Sequence, residues 1–142
     1  MELILWRHAE AEDGFPELDQ AKRMSDWLKS ELPDNTLVIA SPARRTQQTA
    51  MALRSDFVTN NEIGPGGAGV KSILTAANWP NAQSAVVIVG HQPTLGEVVR
   101  NLVPVIPPGL RVKKGPVWWI RCQEKDNIIE PVLHSVIYPE ML

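Results

Sequence analysis

The chain lacks most of the features that mark a specialised class. Among its 142 residues there is one cysteine, Cys122. An internal disulfide and a cysteine-rich zinc site are thereby excluded, and a reducing, cytoplasmic setting is expected. A dominant charge is also missing, since 14 basic and 16 acidic residues leave a formal net charge of −2. That is not the basic footprint of a general nucleic-acid binder, so no nucleic-acid partner is expected. No apolar run approaches the roughly 20 residues of a membrane span, so no membrane partner is expected either. The opening Met-Glu-Leu-Ile-Leu-Trp-Arg has neither a basic leader nor a long apolar stretch, and a secretory signal is not expected. There is no internal repeat and no low-complexity tract.

What remains is an ordinary globular composition, 44% hydrophobic and 21% charged. A chain of this length buries roughly two thirds of its unfolded surface, enough for a core. Residues 3–6 form an apolar run that reads as a buried strand. Residues 17–32 carry Leu18, Ala21, Met24 or Ser25, Leu28 and Leu32 near a 3.6 period and read as a helix, broken by Pro33-Asp34-Asn35. A second strand is expected over 36–40. Ser41-Pro42 then reads as a helix N-cap followed by proline in the first turn, with a helix to about Arg54. Residues 60–69 read as a loop and 70–78 as a short helix. The strongest strand is 85–89, turned by Gly90-His91-Gln92-Pro93 into a helix that ends near Leu102. A proline-rich connector over 103–109 leads to two late strands, 117–122 and 128–134, turned around Lys125-Asp126-Asn127. Strands alternating with helices imply an α/β domain with a largely parallel sheet, and the late hairpin adds an antiparallel strand.

Three strand exits carry unusual residues: Arg7-His8, Ser41-Pro42-Ala43-Arg44-Arg45 and Gly90-His91-Gln92-Pro93. Ligands of open α/β sheets bind beyond the carboxyl ends of the strands. If these strands are parallel neighbours, Arg7, His8, His91 and one of Arg44 or Arg45 converge there. Two arginines and two imidazoles make an anion site, and guanidinium forks match the oxygens of phosphate. Helix N-termini at the same edge also favour an anion. Arg44 and Arg45 are about 100° apart on a helix, so one of them faces the site, and position alone does not choose between them.

These segments resemble the motifs of the histidine phosphatase superfamily, whose fold is that of the phosphoglycerate mutases. Arg7-His8-Ala9 is similar to the opening Arg-His-Gly or Arg-His-Ala signature. Ser41-Pro42-Ala43-Arg44-Arg45-Thr46-Gln47-Gln48-Thr49 is similar to Ser-Pro-x-x-Arg-Ala-x-Gln-Thr, which assigns the motif's arginine to Arg45. Gly90-His91-Gln92-Pro93 matches Gly-His-x-Pro. Lys114-Gly115-Pro116-Val117 resembles a late strand start of the small bacterial SixA-type phosphohistidine phosphatases. The resemblance runs in order along nearly the whole chain. It implies one domain over 1–142 with a three-layer α/β/α fold and a mixed, mostly parallel sheet. It implies phosphoryl transfer through His8, with Arg7, Arg45 and His91 around the phosphate and Gln92 among its contacts. No cofactor and no metal are implied, and a monomer is favoured. The partner implied is a phosphorylated protein or a small phosphorylated substrate.

The sequence departs from the family pattern twice. The usual Arg-x-Leu-Thr-x-x-Gly stretch ahead of the first helix is missing or collapsed into Gly14–Asp19. The middle loop, 62–69, holds a single carboxylate, Glu62, where larger members place a general acid. Imidazole, whose conjugate acid has a pKa of about 6.5, leaves readily at neutral pH. An alkoxide needs a proton donor, worth typically ~10²–10⁴-fold. The weak acid therefore favours a phosphohistidine substrate. A small phosphomonoester, or a module that binds phosphate or a phosphoprotein without turning it over, remains the alternative.

The other features read more plainly. Arg44 is expected to be a surface charge and His134 structural. Gln48 and Thr49 should position the helix and Arg45. Glu10, Glu12 and Asp13 are expected in a solvated loop. Gly64-x-Gly66-x-x-Gly69 fits a dinucleotide fingerprint only formally, since it does not open a helix straight after a strand. Trp118 and Trp119 face opposite sides of a strand, one expected in the core and the other in an exposed patch. Cys122 is expected to be a small buried hydrophobe.

Overall fold

A computed structural model of the chain describes residues 1–8, 15–66, 68–104 and 115–142, with the backbone alone for 15–19. A six-stranded sheet has the order β3-β2-β4-β1-β5-β6. Its strands are β1 (Glu2–Arg7), β2 (Leu37–Ala40), β3 (Val58–Thr59), β4 (Val86–Gly90), β5 (Val117–Lys125) and β6 (Ile128–Ile137). The β1–β4, β4–β2 and β2–β3 pairs are parallel. The β1–β5 and β5–β6 pairs are antiparallel. The helices are α1 (Phe15–Glu31), α2 (Arg44–Leu53), α3 (Val70–Ala76) and α4 (Thr94–Leu102). The sheet is thus mixed, as expected, and layered between helices.

The central strands are apolar throughout because helices cover both of their faces. On one face Leu3, Leu5, Val86 and Ile88 pack with Ile73 of α3 and Leu95, Val98, Val99 and Leu102 of α4. On the other, Ile4, Trp6, Val87 and Val89 pack with Ala21, Met24 and Leu28 of α1 and Ala50 and Leu53 of α2. This is the three-layer α/β/α arrangement. The helical period over Ala21, Met24, Ser25 and Leu28 is borne out, all four being buried.

Several details correct the sequence reading. Trp118 and Trp119 do face opposite sides, yet both are buried, in different cores. The expected exposed patch is missing because Trp119 is covered by Trp27 of α1, its ring centroid 6.0 Å away. Cys122 is only partly buried. The pairing of β1 with β5 ends at Glu2↔Arg121, so the far half of β5 runs beyond the core. Helix α2 starts at Arg44 rather than Pro42, and Ala43 stands at its cap without a side-chain bond. The two-residue β3 precedes the expected loop, and a 3-10 turn at Asn61–Ile63 lies within it.

The β5–β6 hairpin turns where expected, with Asp126 and Asn127 at φ 54° and 63°. Positive φ at both central residues matches a type I′ turn. The expected loop residues Glu10, Glu12 and Asp13, the residue Lys114, and most of the 103–109 connector lie outside the described residues.

Candidate active site

Parallel pairing places the three motif-bearing exits side by side. Arg7 is in register with Gly90, and Ala40 with Val89. The backbone then ties the exits together just past the strands. His8 N–H donates to the Gly90 carbonyl at 3.2 Å, and Ser41 N–H donates to the Val89 carbonyl at 3.2 Å. On the other flank, Gly115 N–H donates to the Arg7 carbonyl at 3.2 Å. The Trp6 indole Nε1–H donates to the Gly115 carbonyl at 3.1 Å. Gly115 has φ +94°, and a Cβ there would lie 3.2 Å from the Pro139 ring, so both conformation and space call for glycine.

This frame brings His8 and His91 together, their ring centroids 5.2 Å apart and the planes inclined by 58°. His8 is 5% exposed and His91 half-buried. A tetrahedral oxyanion sandwiched between two ring faces needs about 7 Å, two van der Waals contacts. The pair is too close for that, which leaves the ring edges, where the nitrogens are, as the place open to an anion. His91 has its pKa lowered from 6.5 to about 4, first by burial and then by the positive fields of His8, Arg7 and Arg45. Arg45 is thus within electrostatic reach of the ring. The expected four groups therefore converge.

Two helices abut the site. The His91 carbonyl accepts the Leu95 N–H of α4 at 3.0 Å. Gln92 Oε1 accepts the Gly96 N–H at 2.9 Å, so the expected phosphate contact Gln92 spends its side-chain oxygen capping α4. Thr94 Oγ1 donates to the Ala68 carbonyl at 3.1 Å and holds the middle loop against α4. Glu62 is exposed on the 3-10 turn. Among the described residues, no group of three or more His, Cys, Asp or Glu side chains is placed to hold a metal ion.

Two polar residues, Ser41 and Gln47, do work that sequence reasoning missed. Ser41, read as a helix cap, places its Oγ 2.6 Å from His91 Nε2 and 2.6 Å from Thr46 Oγ1. Gln47, rather than the exposed Gln48, ties α2 down: its Nε2 donates to the Ser41 carbonyl at 2.7 Å and to Thr59 Oγ1 at 3.0 Å. Thr49 Oγ1 donates to the Arg45 carbonyl at 3.0 Å, in keeping with its expected positioning role. The partners of Ser41 follow from the β2–β4 register, a signal absent from any one segment. Away from the site, the exposed His134 stacks edge-on against Trp119, centroids 5.6 Å apart.

No protein-family model and no curated protein matches the chain. Solved structures do. A Nakamurella multipartitia protein assigned as the phosphohistidine phosphatase SixA is 24% identical, with a TM-score of 0.74 over 97% of this chain and 95% of that one. The protein histidine phosphatase SixA complexed with tungstate is 19% identical, with a TM-score of 0.73 over 99% of both chains. A phosphoserine phosphatase from Entamoeba histolytica, in complex with phosphoserine, is 14% identical, with a TM-score of 0.73 over 99% of this chain and 98% of that one. At such identities the likeness is one of architecture. The chain has the phosphoglycerate mutase-like fold of the SixA phosphohistidine phosphatases and other histidine phosphatases.

Proposed function

We propose that the protein is a phosphatase that works through a phosphohistidine on His8, and that its substrate is a phosphohistidine side chain of another protein. The observation that carries this reading is the 5.2 Å pairing of His8 with His91 at the C-terminal edge of the sheet, in the field of Arg7 and Arg45. Neutral His8 attacks phosphorus. The bond from phosphorus to the substrate nitrogen breaks as the bond to His8 forms. Water then attacks the phosphohistidine, yielding inorganic phosphate and restoring His8. Arg7, Arg45 and His91 offset the charge that spreads over the phosphoryl oxygens, the role that metal ions play in other phosphoryl-transfer sites.

The substrate follows from the leaving group. The 62–69 loop offers one carboxylate, Glu62, on an exposed turn. An imidazole protonated on its far nitrogen departs without further help, whereas an alkoxide needs a donor. The architectural likeness to SixA proteins supports the same reading. A small phosphomonoester is the second reading, favoured by the equal likeness to the phosphoserine phosphatase.

The test is a comparison of leaving groups. Purified protein is given a phosphohistidine-bearing phosphotransfer protein and a series of phosphate esters of graded leaving-group pKa. The expected result is turnover of phosphohistidine and a steep loss of rate along the ester series. Efficient hydrolysis of an alkyl phosphate, with phosphohistidine untouched, overturns the substrate. No turnover of either, with wild type and His8→Ala binding tungstate equally well, overturns the enzyme and leaves a binding module.

A further inference from the structure

The hydroxyls of Ser41 and Thr46 are sealed beneath the site, both residues being 0% exposed. Each carries one proton, so the direction of their hydrogen bonds can be counted. Ser41 Oγ has three neighbours: His91 Nε2 at 2.6 Å, Thr46 Oγ1 at 2.6 Å and the Ala43 N–H at 3.3 Å. Ala43 can only donate. Ser41 must therefore give its proton to one of the other two and accept from the remaining one.

Thr46 decides which. Its Oγ1 lies 2.8 Å from the Ala43 carbonyl and 3.0 Å from the Ser41 carbonyl. Were its proton turned to Ser41 Oγ, both carbonyl oxygens would face a hydroxyl oxygen with no proton between them. Turned to a carbonyl, the Thr46 proton serves those contacts, and Thr46 accepts from Ser41. Ser41 in turn accepts from His91. The His91–Ser41 and Ser41–Thr46 contacts then each have a donor, the two carbonyls share the one Thr46 proton, and the chain ends on backbone oxygens that can only accept.

We propose that Ser41 and Thr46 are positioning residues, whose hydroxyl chain, running from His91 Nε2–H to the Ala43 carbonyl, fixes the neutral ring as its Nε2–H tautomer and leaves Nδ1 as the nitrogen that takes up a proton and donates it to the anion on binding. Rotating the ring to present Nε2 breaks a bond to a buried hydroxyl, so the free protein already holds the ring in its binding orientation. The inference rests on the phosphatase reading only for the identity of that anion. The hydroxyl chain is a property of the fold itself.

The tautomer is read directly by ¹⁵N-histidine labelling of the whole chain and a long-range ¹H–¹⁵N correlation on ligand-free protein at neutral pH. The His91 signals are assigned by their loss in His91→Asn. Expected are a protonated Nε2 and an unprotonated Nδ1. A protonated Nδ1, or an averaged mixture, overturns the proposal. Ser41→Ala should mix the tautomers and lower kcat by about tenfold, the worth of one oriented hydrogen bond. Thr46→Val, which keeps the shape, should do the same to a smaller extent even if Ser41→Ala fails to fold, and Thr46→Ser should restore both readouts. Wild-type tautomer and turnover in Thr46→Val overturns the chain. A protein with the expected tautomer that turns over no phosphorylated compound supports the hydroxyl chain while overturning the phosphatase reading.

Discussion

At the C-terminal end of β1, Arg7 and His8 stand beside His91 and share its surroundings with Arg45. At the N-terminal end of the same strand, Glu2 Oε1 accepts from Arg121 Nε at 2.6 Å and from Trp119 Nε1 at 3.0 Å. The two ends draw on the same kinds of side chain and treat them differently. Around Glu2, opposite charges meet, and the Arg121 and Glu2 side chains are 45% and 27% exposed. Such pairs add little, because water already solvates both partners. Around His91, positive groups gather on a half-buried imidazole, and each of them depresses its pKa. Like charge collected in a semi-enclosed place costs the ligand-free protein free energy. An anion would recover that cost, which is the physical reason that perturbed titration marks functional sites. The comparison separates charge that is paired within the fold from charge that the proposed phosphate would pair.

The sharpest break between the two ends is covalent. His8→Ala should lower turnover by about 10⁴-fold or more, as loss of a nucleophile does. Acid-labile labelling of the protein by substrate phosphate should vanish with it. Label persisting in His8→Ala would move the nucleophile elsewhere. Next in size come the arginines. Removing one preorganised charge from a developing oxyanion costs ~10²–10³-fold, which is the expectation for Arg45→Ala in steady-state kcat/KM. Arg44→Ala, its neighbour on α2, should stay within about twofold, as surface substitutions usually do. Equal losses in the two variants would remove the distinction drawn from the field at His91.

The convergence of these groups was legible in the sequence for a simple reason. β1, β2 and β4 are buried on both faces, so each reads as an uninterrupted apolar run, and each run stops at a motif. The helices announced themselves by period, as α1 does at Ala21, Met24 and Leu28. What stayed hidden depended on contacts between elements. Val58–Thr59 is too short to show any period, and only its pairing with Ile39 and Ala40 makes it a strand. Trp119 is buried because α1 brings Trp27 to it, a fact of packing rather than of the strand. Gln47 and Gln48 differ by about 100° of helix, and that turn, invisible to a motif, selects which of them reaches Ser41. Ser41 itself offers a hydroxyl equally suited to capping a helix or bonding an imidazole.

The pH response of the site sharpens the comparison at an intermediate scale. His91 starts from about 4 in the free protein, with His8, Arg7 and Arg45 as the charges that face it. A bound dianion opposes their fields and raises that value. Binding then takes up a proton, so affinity falls as pH rises above about 4, by up to about tenfold per pH unit, and levels off above the raised value. Sulfate is the probe, because it remains a dianion throughout, and calorimetric affinities are the measurement. His91→Asn should flatten the profile. A wild-type affinity independent of pH would contradict the effect. Stability moves in the opposite sense. The unfolded ring, at 6.5, binds a proton that the folded ring refuses down to about 4. Its contribution is therefore present above pH 6.5 and is lost as pH falls from 6.5 towards 4. Denaturant titrations of wild type and His91→Asn across that window should converge in shape above it and diverge within it.

The smallest effect belongs to the other end of β1. Glu2→Gln removes the charge from Arg121 but keeps an oxygen that Trp119 Nε1–H can reach. The expected loss is below about 1 kcal/mol of unfolding free energy, the range of an exposed ion pair, and it should shrink further with added salt. Turnover should be unchanged, since strand β1 is held along its whole length by β4 and β5 irrespective of this contact. Arg121→Gln should match it, and the double variant should show that the two losses do not add, because one interaction accounts for both. If Glu2→Gln lowered activity as Arg45→Ala is expected to do, charge at the two ends of β1 would be coupled through the strand. The division between structural and functional charge would then have to be redrawn around the sheet as a unit.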